Sequence, residues 1–262
     1  KEYSISWCLF AHKGIDDFRQ KLLEKGSVFV SCNKYVFEKG EKACIELAAE
    51  TSIQKCVLKN QDIHIPMKKR GNLWIAEVKM DQLGENRFDI FYGEGKQTHV
   101  TCLVIDNVDS LIKKRVDFIC DHQQMKESNT RKDAFMVYDN EKNEIYLNNT
   151  RNCNPVDRDE GAERVGMGVL LAKYYHPNDH IKIALLKYAK FLRNRLQESD
   201  YKTFSSVDRK GRNRAYNYAW VADFYFQMYK ITGDKQYAVD GYMTLRSMFR
   251  QFGHGFYAIG IP

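Results

Sequence analysis

Proline is scarce, at four in 262 residues, which leaves no room for long proline-rich linkers. Seven cysteines are present, but none form Cys-x-x-Cys; their number is odd and their spacing loose. Neither a zinc site nor a dense disulfide framework follows from that pattern, and most of the cysteines read as small buried hydrophobes. No apolar run reaches the roughly 20 residues that a membrane-spanning helix needs, and no export signal lies within the chain. Gly166-Met167-Gly168 is not followed by a third glycine, because Leu171 stands there, so a dinucleotide fingerprint is excluded. No nucleic-acid motif accompanies the net charge of +7. That charge does suit an acidic ligand.

What is present is patterned. Residues 1–27 hold an apolar strand-like run and a short helix over 15–25, too little for a core. They read as the tail of a preceding β domain absent from this chain. Over 28–106, short apolar runs recur between turn signals such as Lys39-Gly40-Glu41, Arg70-Gly71-Asn72 and Leu83-Gly84-Glu85-Asn86. Size and spacing suit an immunoglobulin-like β-sandwich in the wide sense, without the antibody-type Cys and Trp pattern. A helix is predicted over 107–125, capped by Asn107 or Asp109, then a polar stretch with strands at 134–138 and 144–147.

The second half carries a repeat. Val156-Asp157-Arg158 and Val207-Asp208-Arg209 stand 207 − 156 = 51 residues apart. Each leads into a helix, a short turn and a second helix, with helices expected over 159–175, 179–196, 214–231 and 234–252. Stacked helical hairpins are the usual meaning of such a period. On the last helix, Tyr237, Val239, Tyr242, Leu245 and Phe249 are the apolar positions. The short turns, 176–178 and 232–233, fall at one end of antiparallel hairpins. The long loops fall at the other, so 152–164, 205–218 and 253–257 share a face, the expected functional mouth. His176 and His180 lie at the opposite, short-turn end.

Tyr216-Asn217-Tyr218-Ala219-Trp220 opening one helix, and Thr232-Gly233-Asp234-Lys235-Gln236-Tyr237-Ala238 opening its partner, resemble the (α/α) toroid of polysaccharide lyases and related glycoside hydrolases. A sandwich followed by a toroid is also similar to large glycan-degrading proteins of gut Bacteroidetes, rhamnose–glucuronate lyases among them. The resemblance implies a multidomain α and β chain: residues 1–27 as a tail, 28–106 as an Ig-like sandwich and 107–262 as a partial toroid. Two hairpins fall short of a closed ring, so further domains of a larger chain are expected as partners. Lys1 is not a natural start, which leaves room for an upstream export signal and a periplasmic or secreted location.

A uronate lyase must neutralise a carboxylate, remove the C5 proton and protonate the leaving oxygen. At the mouth, Arg212, Arg214 and Asn217 suit the first task, and Tyr216, Tyr218, His254 and Tyr257 the other two. Trp220 offers a sugar platform. A glycosidase needs two carboxylates instead, and Asp157, Asp159, Glu160, Glu163 and Asp208 lie on the same face. Asp157 and Glu160 also serve as substrate-binding candidates. The plainer reading puts Tyr218 in the core, the arginines in solvent and the acids at helix starts. The expected ligand is thus an oligo- or polysaccharide, acidic in the lyase reading. Neither nucleic acid nor a membrane is expected as a partner. No cofactor or metal site is predicted, and the pattern leaves a divalent cation open. Against both enzymes stands a non-catalytic glycan-binding or scaffold piece.

Overall fold

The structure, a computed structural model, describes residues 7–50, 52–59, 61–146, 161–175, 179–208 and 213–254. The protein is mixed α and β, and divides into two compact units, Lys1–Leu111 and Ile112–Pro262.

In the first unit, α1 (Ile15–Glu24) precedes nine strands. These are β1 (Phe29–Cys32), β2 (Val36–Glu38), β3 (Lys42–Ala48), β4 (Ile53–Leu58), β5 (Ile63–Ile65), β6 (Lys68–Arg70), β7 (Leu73–Lys79), β8 (Gly84–Tyr92) and β9 (Lys96–Ile105). They form two sheets, in the orders β1-β3-β7-β6 and β2-β9-β8-β4-β5. All pairings are antiparallel except β2 with β9. Alternation explains the layers. Ala43, Ile45 and Leu47 of β3 are buried, as are Phe88 and Ile90 of β8 and Val100, Cys102 and Val104 of β9. Residues from both sheets enter one apolar core with Phe37 and Met80. The short strands β2, β5 and β6 have no counterpart in the apolar runs of the sequence, because β5 and β6 are edge strands with largely exposed side chains.

Helix α2 (Val108–Phe118) starts where Asn107 Oδ1 accepts the Ser110 N–H at 3.2 Å. It closes in a π-helical turn, Ile119–Gln123. The strand expected over 134–138 is a different structure. Met125 and Met136 N–H groups donate to Ala134 and Gln123 carbonyls, which ties 134–136 to the end of α2. Phe135 makes an isolated antiparallel bridge with Gln124, and Tyr138–Asp139 (β10) pairs with Glu144–Ile145 (β11).

The second unit continues with α3 (Val165–Lys173), α4 (Asp179–Phe191), α5 (Ala215–Thr232) and α6 (Lys235–Phe252). A π-helical turn, Leu192–Leu196, extends α4. The α5–α6 turn follows from its residues. Gly233 takes φ +71°, a left-handed conformation that glycine adopts at no steric cost, and Asp234 Oδ1 caps the Gln236 N–H at 2.9 Å.

Two close approaches set the helix spacing. A Cβ on Gly168 of α3 would lie 2.8 Å from Phe224 and 2.9 Å from Tyr188; one on Gly241 of α6 would lie 2.7 Å from Phe226. On α6 the apolar positions divide: Tyr237 and Leu245 pack against cores, and others stay exposed. Asp240, Gly241, Thr244, Ser247 and Met248 are buried, whereas Val239, Tyr242 and Phe249 are 48%, 61% and 42% exposed. Thr244 and Asp240 face in because a polar network receives them.

That network belongs to the loop joining the two hairpins. Gln197 donates to Thr203 Oγ1 at 3.0 Å and Thr244 Oγ1 at 2.9 Å, and accepts from the Tyr225 hydroxyl at 2.9 Å. Tyr201 donates to Asp240 at 2.8 Å. Each of these buried groups therefore has a partner, which avoids the cost of stranding polar atoms in a core.

Candidate functional site at the start of α5

The described parts of the expected mouth do come together. The Ala162 N–H donates to the Ser205 carbonyl at 2.9 Å, and Asn217 Nδ2 donates to Ser205 Oγ at 2.9 Å. Asn213 Nδ2 donates to Gln251 Oε1. The entry to α3, the start of α5 and the end of α6 thus share one region. Asp157, Glu160, Arg212 and Tyr257, like Asp159 and His176, lie outside the described residues.

Arg214 stands at the N-cap of α5, in extended conformation. Its Nη1 donates to the Tyr216 hydroxyl oxygen, and its guanidinium carbon sits 5.7 Å from the Tyr216 ring centroid. Tyr216 in turn meets Trp220 one turn on, with centroids 5.3 Å apart. All three are half-buried. They make a cation, a phenol and an indole in series along the helix start. No acidic residue occupies the first turn of α5, so the partial positive charge of the helix terminus adds to that of Arg214. The site can therefore bind an anion beside an aromatic surface and hold negative charge on a phenol oxygen.

Asn217 differs from expectation, and Tyr218 follows the plainer reading that puts it in the core. Both are fully buried. Tyr218 joins a small core with Ala215 and Met248, donates to Asn213 Oδ1, and accepts from Gln251 Nε2 at 2.9 Å. Burial pushes its hydroxyl above the usual tyrosine range, so it resists ionisation. Asn217 anchors Ser205. Helical periodicity turns both side chains inward, while Tyr216 is half-buried beside them and Trp220, also half-buried, packs against the helical core. His254 is exposed and stacks on Phe249 at 5.0 Å. Asp208 accepts from Ser206 Oγ at 2.7 Å.

A second concavity, of about 390 Å³, was not foreseen. Asp121, His122, Lys126, Tyr138 and Glu144 line it, where the π-helical turn after α2 meets the β10–β11 hairpin. His180, at the start of α4, contacts Asp121 at 3.0 Å. The residues lining this concavity come from the ends of elements expected separately, the helix over 107–125 and the strands at 134–138 and 144–147, and no local pattern brings them together. Among the described residues, no group of three His, Cys, Asp or Glu could hold a metal ion. No described helix is long and apolar enough to cross a membrane.

The protein is mixed α and β, and nearly its whole length is similar to a polysaccharide lyase of known structure. A solved structure named a polysaccharide lyase is 62% identical, with a TM-score of 0.89, over 97% of this chain. The chain spans 38% of that protein's length. A family 76 glycoside hydrolase from a bovine Bacteroides thetaiotaomicron strain is 7% identical, with a TM-score of 0.32, over 86% of this chain and 78% of its own. No curated protein matches. The chain belongs to the family of unknown function DUF5695, whose model matches residues 1–207.

Proposed function

We propose that this chain is part of a polysaccharide lyase that cleaves a uronate-containing glycan by β-elimination. The observation that carries the reading is the 62% identity, over 97% of the chain, to a protein named a polysaccharide lyase. The start of α5 supplies fitting chemistry. Arg214 and the helix terminus neutralise the uronate carboxylate, which acidifies the neighbouring C5–H. Tyr216, as phenolate held by Arg214, takes the C5 proton. The electron pair forms the C4–C5 double bond, the C4–O bond breaks, and the leaving oxygen gains a proton from Tyr216 or His254. Trp220 carries a sugar face.

The wider architecture follows the same reading. The strand orders, with β2 parallel to β9, support an immunoglobulin-like sandwich. The exposed Val239, Tyr242 and Phe249 stripe on α6 supports a toroid in which another hairpin packs there. The net charge of +7 favours an acidic glycan, and a periplasmic or secreted location suits that substrate.

Product chemistry tests the proposal. Protein from the full reading frame is incubated with a panel of uronate-containing glycans, and the released oligosaccharides are weighed by mass spectrometry. A lyase yields an unsaturated end, lighter by one water than the hydrolysis product. Saturated products alone would replace this reading with a glycoside hydrolase, and no products across the panel would favour a binding role.

A further inference from the structure

The chain leaves the four-stranded sheet and enters the five-stranded one within 33–35, between β1 and β2. Asn33 fixes the departure: its N–H donates to the Cys44 carbonyl at 3.1 Å and its Oδ1 accepts the Cys44 N–H at 2.8 Å. Tyr35 fixes the arrival, its carbonyl accepting the Leu103 N–H at 2.8 Å. This crossing brings the last residue of β1, Cys32, against β9, which belongs to the opposite sheet; the two strands come within 8 Å at Cα. On β9, Leu103 faces outward at 44% exposure, so its neighbour Cys102 faces inward, at 1%. Cys32 packs on the same core from its half-exposed position. The Cys32 thiol donates to Asn33 Oδ1 at 3.5 Å, and each of the two thiols is the largest influence on the other's titration.

We propose that Cys32 and Cys102 are a redox-active pair that closes into a disulfide joining the two sheets. Their chemistry is divided as thiol–disulfide exchange needs. Cys32 is the accessible member; Cys102 beside it is the chief influence that brings its thiol down to about 7, against the opposing effect of burial, so the thiolate is available near neutral pH. Cys102 is held up by its contact with Cys32 and by burial, which makes it the second, resolving thiol. With a small-molecule disulfide as oxidant, the Cys32 thiolate attacks one sulfur and expels a thiol. Cys102 then loses its proton and attacks the Cys32 sulfur, expelling the second thiol. Two protein thiols and one disulfide become one protein disulfide and two small thiols. The other described cysteines do not share this arrangement. Cys44 points to the outer face with Glu46 and Glu77, and burial raises Cys56 to about 11 and Cys120 to about 12.

The test uses the folded chain with glutathione disulfide at mildly alkaline pH, followed by denaturation, alkylation, proteolysis and mass spectrometry. The expected result is a cross-linked peptide pair carrying Cys32 and Cys102, with the intact mass lower by about 2 Da for the two hydrogens lost. In Cys102→Ala, glutathione should stay on Cys32 as a mixed disulfide; in Cys32→Ser, Cys102 should stay unmodified. A stable mixed disulfide on wild-type Cys32, a Cys32–Cys44 link, or full alkylation of both cysteines after oxidation would each overturn the proposal. Cys32 is half-exposed, so Cys32→Ser keeps the test open even where Cys102→Ala disturbs the core.

Discussion

Arg214 donates a guanidinium N–H to the hydroxyl oxygen of Tyr216, two residues further on, and lies 5.7 Å from its ring centroid. A donor aimed at a phenol oxygen stabilises negative charge there. In the elimination proposed above, the same arginine faces the substrate carboxylate, so two functions meet in one side chain. Arg214→Ala should therefore lower kcat/KM about 100-fold or more, the scale for removing a preorganised charge donor. Arg214→Lys keeps the charge but loses the planar fork, and should recover only part. Steady-state kinetics on full-reading-frame protein, with a melting curve for each variant, checks this; the site is half-buried, so Tm should shift little.

Two tyrosines that share a helix turn should separate cleanly. Tyr216→Phe removes the reacting oxygen and should abolish turnover with stability kept. Tyr218→Phe removes a hydroxyl that bonds half-buried Asn213 and exposed Gln251 and should cost about 1 kcal/mol of stability, with kcat little changed. Urea unfolding and turnover measured on both variants distinguish the roles. A catalytic loss in Tyr218→Phe without destabilisation would move the site inward.

The glycines of α3 should answer oppositely to the same change. Gly168→Ala drives a methyl group into the rings of Phe224 and Tyr188, both fully buried, and should destabilise by about 1–3 kcal/mol. Gly166→Ala meets nothing within 4 Å and should stabilise by up to about 1 kcal/mol through helix propensity. Chemical denaturation of the two variants side by side is the measurement.

Alkaline pH should weaken the helical unit. Tyr225 is fully buried and its hydroxyl is raised well above the ordinary value; Tyr218, Tyr201 and Tyr237 are raised as well, all chiefly by burial. A folded value above the unfolded one means that the stabilisation is complete below about pH 10, the unfolded tyrosine value. It is lost as pH rises toward the folded values. Urea midpoints should hold near neutrality and fall from about pH 10 upward. Tyr225→Phe should cost about 1–2 kcal/mol at neutral pH by stranding Gln197, yet show a shallower alkaline decline.

Much of this was legible in the residues. Helical spacing and the Thr232-Gly233-Asp234 turn located α5 and α6 to within a residue or two, because capping chemistry is local. Strand alternation marked β3, β4, β7, β8 and β9. Less legible was anything made by partners distant in sequence. Val239 and Tyr242 read as apolar positions of the last helix, yet its inward face includes Asp240, Thr244 and Ser247. Gln197 and Tyr201, 47 and 39 residues away from their partners on α6, supply hydrogen bonds that no local pattern announces. Tyr218 is buried, as the plainer reading of it had it, whereas Asn217 read as a mouth residue and its side chain turns into the core. The cavity lined by Asp121, His122 and Tyr138 joins the ends of elements that were expected separately, and no local pattern brings them together.

The central claim is that the start of α5 is the working end of a lyase. The direct measurement is absorbance near about 235 nm, the signature of the unsaturated uronate that β-elimination leaves. It is followed for wild type and Arg214→Ala on one uronate-containing glycan. The account predicts a steady rise for wild type and a nearly flat trace for a folded Arg214→Ala. Reducing sugar released with no rise in absorbance, or an equal rise in both proteins, would contradict it.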